Sequence, residues 1–181
     1  LRPSPEILPL VVMITALAAR DAIIQAAPDL EPEIKWPNDI LLNGRKTCGI
    51  LVETMRDEPA NTFSVLGMGV NVNWDTASVP EIAEVSTSLG RESGRFVPRV
   101  SVMVPLLEGL ERLYEGAKEG DDILGRWRGS LVTLGRDVVV GGSDTEIEGT
   151  AEDVDGTGAL RVRDRLGTLH TVRAGDVTLK G

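Results

Sequence analysis

A lysine with two apolar neighbours lies at the end of a short predicted strand, within residues 33–39. Ile34 and Trp36 flank Lys35, so strand alternation would place the lysine on the face opposite both of them. Pro37 cannot donate to a ladder and ends the strand, and the Asn-Asp pair after it favours a turn. Lys35 is then a fixed cation suited to an anionic ligand. The alternative is a solvated lysine on an edge strand.

The strands that follow contain glycines where side chains would normally pack. Asn43-Gly44 predicts a two-residue hairpin, so the Lys35 strand and the next two would form three antiparallel strands around Lys35. Glycine weakens a strand unless something approaches the backbone closely. Gly49, Gly67 and Gly69 therefore indicate either a ligand-facing surface or, alternatively, bulges and a tight helix contact.

These pieces form an ordered series. Lys-Trp-Pro-Asn-Asp starts at Lys35, Gly-Ile-Leu-Val-Glu at Gly49, and Gly-Met-Gly-Val-Asn at Gly67. As a set they closely resemble the biotin protein ligases of the biotin–[acetyl-CoA carboxylase] ligase type. The resemblance covers almost the whole chain but begins in the middle of the family's catalytic domain. The family's Gly-Arg-rich loop, which covers the biotinyl-AMP phosphate and the ureido ring, would lie upstream of Leu1.

The resemblance implies a two-step reaction. The carboxylate of biotin attacks the α-phosphate of ATP, giving biotinyl-AMP and pyrophosphate, and a lysine of a biotin carrier domain then attacks the mixed anhydride. Lys35 would be catalytic, because a buried cation reduces the repulsion between two anions and stabilises the charge that develops on the phosphate. Biotin and ATP are the implied ligands, with Mg²⁺ accompanying ATP. The implied partner is the carrier domain of acetyl-CoA carboxylase or a related carboxylase.

The resemblance also implies further ligand-binding positions. These lie in the Asn-Asp turn, in the glycine strands, and in a Thr-Ser-Leu segment near the adenine. Besides Lys35, the implied contacts are Asn38, Asp39, Gly49, Ile50, Gly67, Gly69, Asn71, Thr87 and Ser88. No cluster has the spacing of metal ligands, so no protein-bound metal is expected.

Three readings of the chain remain open. The chain is part of a ligase, or it supplies half of a site that a second chain completes, or it is a non-catalytic relative that binds biotin or a partner. The presence of both Lys35 and Asn71 argues against the last. A lipoate protein ligase is a further alternative, because the catalytic domains share an ancestor. The Trp-Pro-Asn-Asp motif favours biotin.

Composition limits the function classes. The formal net charge is −9 and no basic stripe is present, so nucleic acid binding is not expected. No apolar run reaches membrane-spanning length, which argues against a membrane location. The single cysteine, Cys48, reads as a small buried strand residue and fits a reducing compartment, so a cytoplasmic location is expected. Pairing of sheet edges makes a homodimer reasonable.

The predicted fold is α+β. Residues 1–130 would form a biotin ligase catalytic domain with a class II synthetase-like mixed sheet and helices, incomplete at its N-terminus. One helix would cover residues 10–24 and another would run from Pro98 to about Lys118, with a long polar loop over 74–94. Residues 131–181 would form a small SH3-like barrel, with four predicted strands and a turn at Ala174-Gly175-Asp176.

Overall fold

The chain forms four α-helices and two antiparallel sheets in the computed structural model, which describes residues 1–58, 61–141 and 146–180. The first sheet has the order β1-β2-β3-β4 and the second the order β8-β7-β6-β5-β9. The helices are α1 Val11–Ala26, α2 Leu89–Ser93, α3 Arg99–Glu119 and α4 Ile123–Arg128. The first-sheet strands are β1 Glu33–Lys35, β2 Asp39–Leu42, β3 Arg45–Glu58 and β4 Asn61–Val70. The second-sheet strands are β5 Asp137–Gly141, β6 Glu146–Val154, β7 Leu160–Asp164, β8 Leu169–Val172 and β9 Asp176–Leu179.

Helix α1 is the centre of the core. It packs on β1, β2 and β3 with one side and on α3 with another. With a 3₁₀ turn before it, the helix spans 19 residues, Leu8–Ala26, and by length and composition it could cross a membrane. The expectation that no apolar run reaches that length is therefore wrong. Most of the helix is buried between the sheet and α3, which accounts for its apolar composition.

Local sequence signals explain the elements around the first sheet. Asn43 and Gly44 adopt φ values of 51° and 74°, the left-handed pair that a two-residue hairpin requires. Helix α3 begins directly after Pro98 and ends at Gly120, whose φ is 98°. The structure forms four consecutive strands where three were predicted, and the predicted loop over 74–94 contains α2.

The second sheet supports the predicted small C-terminal domain but differs in detail. It contains five strands where four were predicted, because β9 follows the Gly175 turn and pairs with β5. Among the described residues, no pairing joins β8 to β9 and closes the sheet into a barrel. The α+β class is confirmed. The division of the chain at residue 130 remains a prediction.

Candidate functional site

Four residues lie in one row across the first sheet. Lys35 pairs with Asp39, Asp39 with Gly49, and Gly49 with Gly69. Because directly opposite residues of neighbouring strands project from the same face, this row places a cation and a carboxylate beside two positions without side chains. A Cβ added at Gly69 would meet no atom within 4 Å. This face, with Gly67 further along β4, is therefore open above Gly69, and it is called the floor below.

The adjacent row projects from the opposite face and belongs to the core. It consists of Ile34, Ile40, Cys48 and Val70. The side chain of Cys48 is buried, and burial, assisted by the nearby charge of Asp39, raises the pKa of its thiol to about 12. A thiol with that pKa stays protonated at neutral pH and is a poor nucleophile. The interpretation of Cys48 as a buried strand residue is confirmed.

The side chain of Lys35 also contacts the second sheet. Its side chain is only 17% exposed, and its Nζ lies 3.7 Å from Oδ1 of Asp176, the first residue of β9. The Asp176 side chain is 91% exposed, so the pair is open to exchange with a ligand. The predicted alternation is confirmed, because Ile34 and Trp36 are both buried on the other face.

A second lysine stands beside the row. The Nζ of Lys46 lies 2.6 Å from Oδ1 of Asp39, whose side chain is 15% exposed. The Lys46 side chain also passes over Gly49, since a Cβ added there would lie 2.9 Å from its Cε. Sequence reasoning did not assign Lys46 to the site. The geometry makes it a second cation over the same floor.

Lys35, Asp39, Lys46 and Asp176 line one cleft between the two sheets, while Gly49 and Gly69 lie outside its lining. Its volume is about 540 Å³, within the range of small-ligand sites. One wall comes from the first sheet, a second from the segment before α2, and a third from β9. The lining residues are Lys35, Asp39, Leu41, Gly44, Lys46, Glu84, Val85, Ser86, Asp176, Val177, Thr178 and Leu179.

Two residues that are predicted ligand contacts hold the turn after β1, and their contacts with a ligand stay predictions. The side-chain Nδ2 of Asn38 donates to the carbonyl of Ile50 at 2.5 Å, and the Ile50 amide donates to the Asn38 carbonyl at 3.0 Å. The Ile50 side chain is buried in the core. Together these bonds fasten the Trp-Pro-Asn turn to β3, so Asn38 and Ile50 position the row.

The predicted contacts after β4 are largely engaged within the chain. Asn71 donates from Nδ2 to the Thr87 carbonyl at 3.1 Å. The Thr87 side chain is buried and its hydroxyl donates to Glu92, while the buried Ser88 caps α2 by accepting from the Arg91 amide. The predicted nucleotide contacts of Asn71, Thr87 and Ser88 remain predictions.

Strand β1, which carries Lys35, and the residue after it are also hydrogen-bonded to residues that follow α4 in the chain. The Ile34 amide donates to the Ser130 carbonyl, and the Ile34 carbonyl accepts from Val132. The Trp36 amide then donates to the buried hydroxyl of Thr133 at 2.9 Å, and its indole Nε1 donates to the Gly158 carbonyl at 2.8 Å. The free edge of β1 is thus paired, and Lys35 is fixed relative to β9.

Replacing Thr133 with valine should destabilise the protein by roughly 1–3 kcal/mol, because it leaves the buried Trp36 amide without an acceptor. Thr133 and valine have nearly the same shape, so packing is preserved. Urea unfolding followed by tryptophan fluorescence measures the change, and Thr171→Val on the exposed side of β8 is the control. Equal midpoints for both variants would contradict the role of this hydrogen bond.

The fold and the site together define a class of protein. The Biotin/lipoate A/B protein ligase family profile matches residues 3–73, and the Biotin protein ligase C terminal domain profile matches residues 133–180. The chain belongs to the biotin protein ligase family. The second profile is named for biotin protein ligases, whereas the first covers both biotin and lipoate ligases.

Particular relatives support the assignment along the chain. A biotin–[acetyl-CoA-carboxylase] ligase from Mycobacterium tuberculosis is 36% identical over 168 residues, which cover 89% of this chain and 59% of that protein. The bifunctional ligase/repressor BirA of Bacillus spizizenii is 39% identical over 104 residues, covering 56% of this chain and 32% of that protein. The chain thus spans between a third and about three fifths of these two relatives.

A solved structure shows the same fold. The biotin protein ligase from Aquifex aeolicus, in complex with biotin and ATP, superposes with a TM-score of 0.80 and 22% sequence identity. The superposition covers 96% of this chain and 72% of the Aquifex chain. Both sheets and the helices around them are therefore arranged as in that enzyme.

Proposed function

We propose that this chain carries the Lys35 side of a biotin protein ligase site. The reaction is the ATP-dependent conversion of biotin to biotinyl-AMP, followed by transfer of the biotinyl group to a lysine of a biotin carrier domain. The observation that carries the proposal is the row Lys35–Asp39–Gly49–Gly69, with Lys46 standing over its floor. A floor without side chains beside two ammonium groups suits an extended anion that lies flat on the sheet.

The two lysines reduce the electrostatic repulsion between the reactants of the first step. The attacking carboxylate and the α-phosphate are both anionic, so their approach costs energy unless fixed cations stand between them. Lys35 is held by a short strand paired on both edges, and Lys46 is oriented by Asp39. Their positions are set before ligands bind, so little reorganisation is needed during the reaction.

The same cations serve the second step. A lysine amine of the carrier domain attacks the acyl carbon of biotinyl-AMP, the acyl–phosphate bond breaks, and AMP leaves. An ammonium group near the acyl oxygen stabilises the negative charge that develops there. Asp176 and Asp39 are the carboxylates next to the two lysines, and each lysine can exchange its carboxylate for an anionic ligand group as the charges change.

Mg²⁺ would enter with ATP. The described residues contain no group of three His, Cys, Asp or Glu side chains arranged to hold a metal ion. Magnesium in ATP-dependent sites commonly bridges phosphate oxygens and keeps several waters. The acceptor is proposed to be the carrier domain of acetyl-CoA carboxylase or a related carboxylase, because the Mycobacterium relative is named as a ligase for acetyl-CoA carboxylase.

A blot with streptavidin tests the proposal. The purified chain is mixed with biotin, Mg-ATP and a biotin carrier domain, alone and joined to the family segment that carries the Gly-Arg-rich loop. Biotinylated carrier that disappears in a Lys35→Ala variant supports the ligase function. If neither form transfers biotin, the proposed ligase function is wrong, and the hypothesis of a non-catalytic binding module is favoured.

Competition between acids tests the choice of substrate. The first family profile covers both biotin and lipoate ligases. Unlabelled biotin, but not lipoate, should suppress labelling of the carrier. Stronger suppression by lipoate would identify the chain as a lipoate ligase instead.

A further inference from the structure

Glu92 is a nearly buried carboxylate outside the row of site residues. It lies in the short helix α2, and its side chain is 7% exposed. Oε1 accepts from Nη2 of Arg45 at 2.6 Å and from the Thr87 hydroxyl, and Oε2 accepts from Nδ2 of Asn43 at 2.5 Å. Three donors from two separate segments therefore converge on one carboxylate.

The two segments are neighbours of the cleft. Asn43 is the first residue of the two-residue turn of the β2–β3 hairpin, and Arg45 and Lys46 are the first two residues of β3. Thr87 directly follows residues 84–86, which form the second wall of the cleft. Glu92 is the acceptor that joins the hairpin turn to this wall.

The backbone of Lys46 is bonded to the same wall. The Lys46 amide donates to the Val85 carbonyl at 2.9 Å, and the Thr87 amide donates to the Lys46 carbonyl at 2.9 Å. This parallel bridge between Lys46 and Ser86 consists of two bonds and has no longer ladder to support it. Its geometry depends on contacts that hold the wall from outside.

We propose that Glu92 is the positioning residue for Lys46. By fastening the Asn43–Arg45 turn to the wall at Thr87, it fixes the backbone of Lys46 and hence the place of its ammonium group over Gly49. The role in catalysis rests on the proposed ligase function, but the mechanical link between Glu92 and Lys46 does not. Glu92 itself does not line the cleft.

The charge state of Glu92 suits this role. Burial alone would raise the pKa of its carboxyl, but hydrogen bonds from Thr87 and Asn43 and the charges of Arg45 and Arg91 outweigh burial and lower the pKa. The carboxylate therefore remains ionised at neutral pH and in mild acid. Because its pKa is lowered in the folded state, the stability it contributes is present above its unfolded pKa and is lost as the pH falls through the folded value.

Amide hydrogen exchange tests the mechanical link without using enzyme activity. In the full chain, Glu92→Gln replaces an oxygen acceptor with an NH₂ group that faces the same donors. Exchange of the Lys46 and Thr87 amides, followed residue by residue by NMR, should speed up by roughly tenfold or more, since the bridge opens more often. Amides of β5 and β6 should be unchanged. Glu108→Gln, on an exposed part of α3, is the matched control.

Arg45→Met is a second variant that removes one donor and keeps the carboxylate. Arg45 is partly exposed, so the fold tolerates its loss. It should speed exchange at Lys46 and Thr87 in the same pattern but by less. Unchanged exchange at these two amides in both variants, or an equal increase in β5 and β6, would overturn the proposal.

Rates of biotinyl-AMP formation test the consequence for catalysis. Glu92→Gln should slow the reaction roughly 10- to 100-fold, as expected when a reacting group is displaced by about 1 Å. In a Lys46→Met background the same change should lower the rate of biotinyl-AMP formation by less than about threefold, because residue 46 then has no ammonium group whose position could change. Equal losses in both backgrounds would assign Glu92 a purely structural role. If the unaltered sequence forms no biotinyl-AMP either alone or joined to the family segment with the Gly-Arg-rich loop, the ligase function is contradicted and the exchange result alone decides the link.

Discussion

Replacing Lys35 with alanine should slow the formation of biotinyl-AMP by a factor of roughly 100 to 1,000, the usual cost of removing a preorganised charge-stabilising group. The side chain is held at 17% exposure beside the floor, so its ammonium group interacts with an anion in a partly desolvated place. The loss should appear mainly in the rate constant, since the cation stabilises charge that develops during phosphoryl attack. Release of pyrophosphate under saturating ATP and biotin measures it.

The fold should survive the change. Within the described residues, the ion pair of Lys35 is with a carboxylate that is 91% exposed, at 3.7 Å, and such pairs contribute little stability. A melting temperature within a few degrees of the unaltered protein is expected for this reason. Lys118→Ala is the matched control, because Lys118 lies on the exposed side of α3 and is paired to Glu115 at the protein surface. If the Lys35→Ala protein forms biotinyl-AMP at the normal rate, Lys35 has no role in this reaction.

Local patterns predicted much of the first sheet. The alternation around Lys35, the hairpin at Asn43-Gly44 and the start of α3 after Pro98 are properties of a few neighbouring residues, and all three are confirmed. Each depends on backbone preferences or on the period of a strand. Such signals do not need knowledge of distant parts of the chain.

Long-range pairing was harder to predict. Strand β9 was read as the end of a turn because its four residues carry a weak pattern, and its place is set by pairing with β5 about 38 residues earlier in the chain. The consequence is functional, since Asp176 and the rest of β9 line the cleft. A turn signal at Gly175 identified the bend but not the strand beyond it.

The place of Lys46 in the site was not predicted, because the register between β2 and β3 changes next to it. The pairing of β2 with β3 shifts between Ile40 and Leu41, so the alternation counted back from Gly49 does not extend to Lys46. Thr87 and Ser88, which the resemblance places near the nucleotide, have buried side chains, and their nucleotide contacts stay predictions. The parallel bridge to Lys46 that draws this segment inward has no local sequence signal.

Replacing Gly69 with valine should abolish ligand binding without weakening the fold. A Cβ at Gly69 would meet no atom within 4 Å, and its backbone is an ordinary strand conformation that β-branched residues favour. The isopropyl group would instead stand on the floor beside Gly49, where the proposed ligand lies. The melting temperature should be unchanged or slightly higher, while the dissociation constants for biotin and ATP rise by roughly 100-fold or more. Isothermal titration calorimetry measures both ligands.

Gly149 provides the matched contrast for this variant. It is also a strand glycine, in β6, but a Cβ there would collide with the Arg163 carbonyl of the neighbouring strand. Gly149→Ala should therefore lower stability by roughly 1–3 kcal/mol and leave the site intact. If Gly69→Val instead destabilises the protein as Gly149→Ala does, the glycines of β3 and β4 serve packing and the uncovered floor is not a binding surface. If Gly69→Val is stable and binds both ligands normally, the ligands do not lie over this row, and the roles proposed for Lys35 and Lys46 lose their geometric basis.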